Sequence, residues 1–401
     1  MSAVAVETPG ADWVTLEALI DDPLPVYERL RAEHGEVVWV PSVQRYFVLG
    51  FEACRFAENS PDTFAPLGGR NLVRRAIGPN MLTKGDPEHA IERAAVNPAL
   101  RPKAIEQSWL PVFRENGERF LAELVEAGPG ADLVATFAVP YAAANLAAIV
   151  GVPEAGWAAV QRWSSAFIAA SGNLLDDPEV WAANERANAE AEEHIAEAIR
   201  RVRATPDRSM LSAMVAADLP ESLVHANTKL AISGGVNEPQ HTIANGVWAF
   251  ARHPEQRDRL LADPAAFVGA FDEVVRWLSP IQSIGRAVIT PVSLAEVSLT
   301  PGQEVMLMVG AANRDPAQFS EPHRFDAFRA RRPHMAFGAG IHLCAGTWAS
   351  RNQIGRVAWP LLHERLVGLR PVDIDAARWR GFTFRGLPEL PVTWDDARGG
   401  R

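Results

Sequence analysis

A chain of 401 residues, 48% hydrophobic and 22% charged, can bury a large core. Its formal charge of −10 argues against a general nucleic-acid or anionic-membrane surface, because those partners select faces rich in Lys and Arg. Two cysteines, Cys54 and Cys344, are too few for a disulfide framework or a four-cysteine zinc site, and a reducing cytoplasm fits best.

In chain order, residues 1–22 lack a basic n-region and run into acidic residues and Pro9, so they do not read as a signal peptide. Residues 25–33 and 51–58 have amphipathic helical spacing. They flank alternating segments at 37–39 and 46–49 that predict a small sheet. From 88 to about 203 the apolar spacing is helical, broken by Pro98, Pro111, Gly128, Pro153 and Pro178. Residues 133–152 are uncharged over about the length of a bilayer span. They are alanine-rich and interrupted by Pro140 and Asn145, which predicts a buried core helix. A second helical run covers 221–279, and short strands are predicted at 288–289, 297–299 and 305–308. Glycine and proline are spread evenly, with no linker and no repeat. The expectation is one domain over residues 1–401, mainly α with a minor β part.

The most informative segment is Phe337-Gly338-Ala339-Gly340-Ile341-His342-Leu343-Cys344-Ala345-Gly346, followed by a helical stretch at 347–362. A cysteine at a helix N-terminus is expected to ionise more easily, because unpaired N–H groups and the helix dipole favour the thiolate. Such a sulfur is a competent iron ligand, and on haem iron a thiolate favours O–O cleavage. A dinucleotide loop opening at Gly338 fails, since the third glycine position holds Leu343. Cys54 reads as a small buried hydrophobe.

Residues 337–346 match F-x-x-G-x-H-x-C-x-G, and the chain resembles the cytochrome P450 family over nearly its whole length. The resemblance implies a single-domain fold with haem b between the long central helix and the cysteine-loop helix. It implies Cys344 as the iron ligand, with Phe337 and Gly338 in the haem-binding loop and His89, Arg93, Arg286 and His342 on the propionates. Glu273 and Arg276 look like the family's E-x-x-R pair, and Arg324 sits where a further arginine joins them.

One departure stands out. Aligning Gly234-Gly235 and Ala244-Asn245-Gly246 puts Asn237 where the family has an acid, Glu238 where it has an alcohol, and Pro239 next. Pro239 is expected to open the helix, and Glu238, kept neutral by an apolar pocket, to relay protons with Asn237 and water. The variant resembles a bacterial subgroup containing aryl O-demethylases. That likeness implies a pocket of Phe167, Leu230, Gly234, Ile281, Ile284 and Phe384 around a small aromatic such as guaiacol, altered by Leu72 where a third phenylalanine is expected.

The reaction expected is insertion of one atom of O2 into a small apolar substrate. Electrons would come from NAD(P)H through a separate ferredoxin or flavin/iron–sulfur reductase, drawn to Arg329, Arg331, Arg332, Arg351 and Arg356 around Cys344. Scattered solubilising arginines fit those positions equally well. A peroxide-driven enzyme and a non-catalytic haem sensor remain open as alternatives.

Overall fold

The computed structural model describes residues 11–68 and 71–399, so Gly69 and Arg70 and the first ten residues lie outside the described part. The molecule is mainly helical, with one five-stranded sheet and three small two-stranded ones among the described residues. The sheet runs Val37–Val40, Arg45–Val48, Glu304–Leu307, Ile284–Val288, Phe64–Pro66. Only the pairing of Arg45–Val48 with Glu304–Leu307 is parallel. The strand Ile284–Val288 begins four residues before the predicted piece. Gly285 and the buried Arg286 interrupt its apolar alternation, which is why the pattern hides it.

The organising element is the central helix, Glu221–Arg252, whose 32 residues extend for about 48 Å. Its buried positions Ile232, Val236, Pro239, Ile243, Val247 and Phe250 recur every three or four residues and form one core-facing stripe. The helices Val139–Val150, Gly156–Ser171 and Phe267–Leu278 pack against it. The uncharged segment expected to be a core helix is one: Tyr141, Ala142, Ala143 and Val150 are fully buried. No described helix is long and apolar enough to cross a membrane.

On the far side of the core, Thr347–Ser350, Arg351–Ala358 and Trp359–Arg365 form a continuous helical run whose middle segment is wound as π-helix. Trp359 joins this run to the central helix. Its Nε1 donates to the Ile243 carbonyl at 3.1 Å, and its ring meets Phe250 edge-on at 5.1 Å. A Cβ on Gly246 would lie 2.2 Å from that ring, so only glycine lets the two helices approach this closely. The two helical layers enclose a cavity between them, and the cysteine loop forms part of its wall.

Candidate active site

The cysteine loop is shaped by its own backbone. Gly338 N–H donates to Met335 O, and Cys344 N–H to Phe337 O, each at 2.9 Å. Gly340 adopts φ +63, and a Cβ there would lie 2.1 Å from the Glu58 carbonyl oxygen, so glycine is required twice over. The loop is anchored from behind. Met335 N–H donates to Asn313 Oδ1 at 2.7 Å, and Arg276 Nη1 donates to the Asn313 carbonyl at 2.7 Å. Arg276 in turn grips both carboxylate oxygens of Glu273, at 2.7 and 2.8 Å.

The predicted third member of this ion cluster is wrong. Arg324 is exposed and pairs with Glu321; it contributes only a carbonyl, which accepts from Arg276 and Arg329. Arg329 fills the position, its Nε 3.2 Å from each Glu273 oxygen, while the Asp326 amide donates to Oε1 at 2.9 Å. The turn at 326–329 brings Arg329 back onto Glu273, and residue spacing alone could not choose between the two arginines.

The cavity has a volume of about 490 Å³. Cys344, Ala345, Gly346 and Ala349 line one side, and Leu230, Gly234, Gly235, Glu238, Pro239 and Thr242 of the central helix line the other. His89, Arg93, Arg286, His342, Phe337 and Gly338 lie along an edge. The expected pocket residues Leu72, Ile281, Ile284 and Phe384 line it too.

Two expected residues do not line it. Phe167 is fully buried in a core cluster with Val160, Trp163 and Ala170, its neighbours on the inward face of helix Gly156–Ser171. Asn237 is absent from the lining; its side chain is half-buried, with Nδ2 buried and without a partner. Pro239 does not break the helix, which runs unbroken through it. It removes a single N–H, so the carbonyl of Gly235, itself at the cavity wall, loses its helical donor.

Burial governs the electrostatics. It pushes the Glu238 carboxyl up to about 8, opposed only by a hydrogen bond with its own backbone, and Glu238 Oε2 is buried without a partner. Desolvation by the surrounding walls also raises the Cys344 thiol, although the residue is exposed, the reverse of the fall expected from a helix N-terminus. The Gly346 amide, Arg93 and the Thr347 hydroxyl work against that rise, and Glu238 across the cavity adds to it. His342 is held down at about 3 by burial, then by Arg286, His89 and Arg93. Its ring meets His89 at 4.5 Å, and His89 Nδ1 sits 2.9 Å from Asp86.

The comparisons with known proteins agree with this geometry. The family model "Cytochrome P450" matches residues 267–358. The mycinamicin IV hydroxylase/epoxidase of Micromonospora griseorubida is 32% identical over 91% of this chain and 92% of its own. The PikC monooxygenase of Streptomyces venezuelae is 30% identical over 94% and 92%. P450BioI, solved in complex with a hexadec-9Z-enoic acid ligated acyl carrier protein, superposes with TM-score 0.87 at 26% identity, covering 95% and 100%. The chain belongs to the cytochrome P450 family.

The protein is therefore an oxidoreductase of a monooxygenase family whose members carry haem iron on a thiolate. The residues present suit that group. The Nε2 atoms of His89 and His342 are buried and unpartnered at the same edge as the guanidinium groups of Arg93 and Arg286. A flat tetrapyrrole with acidic side chains meets there the donors that a dry slot would otherwise leave orphaned.

Opposite the cavity, the surface around Cys344 carries a hollow of about 580 Å³ lined by Arg93, Arg101, Arg331, Arg332, Trp348 and Arg351 among others. The basic patch is thinner than the sequence promised. Arg329 is taken by Glu273, Arg351 by Asp272 and Arg356 by Glu106, which leaves Arg331 and Arg332 exposed. Burial opposes ionisation of Asp272, but His334 and Arg351 outweigh it and hold its carboxyl below the usual range.

Asp272 and Glu58 were not among the expected residues, and Arg329 was expected in the basic patch and not on Glu273. Glu58 was legible, since it falls four residues after Cys54 on the buried face of helix Phe51–Glu58. Arg329→Ala should cost about 2–3 kcal/mol by stripping a charged partner from buried Glu273, whereas Arg324→Ala should stay within about 0.5 kcal/mol. Chemical denaturation of the two variants checks this, and the reverse order would return Arg324 to the cluster.

Proposed function

We propose that Cys344 ligates the iron of haem b, that His89, Arg93, Arg286 and His342 hold its propionates, and that the enzyme hydroxylates an apolar, aliphatic or alicyclic molecule. The observation that carries the substrate class is the wall of the cavity. Apart from Phe271, which stacks on Phe337 of the cysteine loop, it includes Leu67, Leu72, Val73, Leu82, Leu146, Leu174, Leu230, Ile281 and Ile284, with Phe384 as the one further phenylalanine. The methoxyphenol expectation needed two rings, and Phe167 is in the core. The names of the relatives support the wider class: a 6-deoxyerythronolide B hydroxylase and a pentalenic acid synthase.

When bound, the haem supplies the centre at which dioxygen is reduced, one oxygen atom going into the substrate and the other leaving as water. The chain's own residues do the rest. The aliphatic wall excludes water and holds the C–H bond in place. Glu238, protonated below pH about 8, carries an O–H donor at the cavity wall across from the Cys344 sulfur. A separate ferredoxin or flavin/iron–sulfur donor of acidic surface docks at Arg101, Arg331, Arg332 and Trp348, where the exposed indole adds an apolar anchor.

Optical titration of the ferric protein with steroids, terpenes, macrolactones, fatty acids and methoxyarenes tests the substrate class. A saturable spin shift with the first three classes is expected, and a shift with methoxyarenes alone would contradict it. Product formed per reductant consumed should fall as pH rises through about 8, because the raised Glu238 carboxyl then loses the proton it donates. Glu238→Gln should lower product formation on the order of 100-fold. A variant with full coupling and the same pH profile would remove Glu238 from the reaction.

A further inference from the structure

Glu58 ends helix Phe51–Glu58 and is 4% exposed, at the edge of the cavity where Arg286 lies. It makes three contacts that no other carboxylate among the described residues duplicates. Its Oε1 is 2.7 Å from Arg286 Nη2, an ion pair off the hydrogen-bonding angle, with side chains 1% and 6% exposed. Its Oε2 takes the Ala339 amide at 3.5 Å, inside the cysteine loop. Its backbone carbonyl fills the space left by the absent Cβ of Gly340. One residue thus touches both the strand that carries Arg286 and the loop that carries Cys344.

The charge arithmetic at this edge gives the contact a consequence. Of the arginines lining the cavity, Arg45 is paired with Glu304, and the two at this edge are Arg93 and Arg286. Glu58 cancels the second of them from inside the protein. Arg286 Nη1 is also committed, donating to the Gly285 carbonyl at 2.9 Å, so the guanidinium is oriented before any ligand arrives. Burial raises the Glu58 carboxyl and lowers the Arg286 guanidinium, and each partner's charge opposes the other's shift. A charge fixed in so dry a region is weakly screened and acts over a long range.

We propose that Glu58 is a positioning residue for the cofactor: it orients Arg286 against the cysteine loop, and its negative charge favours the ferric over the ferrous state. This rests on the reading that the cavity holds a haem ligated by Cys344. Buried groups behind a metal's direct ligands commonly tune its potential through charge and hydrogen bonding.

The test is the ferric/ferrous midpoint potential of holoprotein carrying Glu58→Gln, of the same size without charge, beside Glu58→Asp, which keeps the charge. Expected is a positive shift in Glu58→Gln and a value near wild type in Glu58→Asp, with the thiolate signature retained in the ferrous carbonyl spectrum of both. An unchanged potential in Glu58→Gln, or equal shifts in the two variants, overturns the proposal and leaves a purely structural ion pair. Should Glu58→Gln not load, Glu58→Asp decides: the wild-type potential supports the proposal and a positive shift refutes it. Wild-type protein that binds no haem would instead defeat the underlying reading of the site.

Discussion

The buried carboxylate of Glu273 holds the cysteine side of the molecule together. An isolated carboxylate at this depth would cost several kcal/mol, so its five donated hydrogen bonds, from Arg276, Arg329 and the Asp326 amide, are a requirement of folding. The satisfied cluster then orders what surrounds it. Arg276 fixes the Asn313 and Pro322 carbonyls, and Asn313 fixes Met335 at the entrance to the cysteine loop. The position of the Cys344 sulfur is thus set by a charge several links away that never touches it.

The cavity in front of that sulfur is walled largely by apolar side chains, and that wall sets its chemistry. Desolvation makes both facing acids, the Cys344 thiol and the Glu238 carboxyl, reluctant to ionise. For Glu238 this is useful at neutral pH, since a protonated carboxyl is a donor. For Cys344 the Gly346 amide, Arg93 and Thr347 oppose that rise but do not reverse it. A coordinated metal does, because a thiol bound to a cation is deprotonated outright. The site's ionisation state and its occupancy are therefore coupled, as metal sites in folded proteins generally are.

Much of this could be read from residues in order. Helical period exposed the central helix and the core helix at 139–150, and the glycine-rich cysteine segment announced a tight loop before a helix. What stayed hidden was tertiary choice. Arg324 and Arg329 are equally plausible partners for Glu273 until the turn between them is known. Phe167 belongs to a helix whose assignment was sound, but it lies on the face turned into the core, a rotation that residue order does not reveal. Glu58 was the opposite case: its helix face marked it as buried, and only its partner, some 230 residues away in the chain, was invisible.

Every role proposed for this site depends on sulfur bound to iron at position 344. Reconstituted ferric protein should show an iron–sulfur stretching vibration that shifts when cysteine carries a heavy sulfur isotope, in the wild type and equally in Cys54→Ala. Loss of that vibration in Cys344→Ala, with Cys54 intact, would confirm the assignment. An isotope-insensitive spectrum in wild-type protein, or a vibration that survives removal of Cys344, would contradict it.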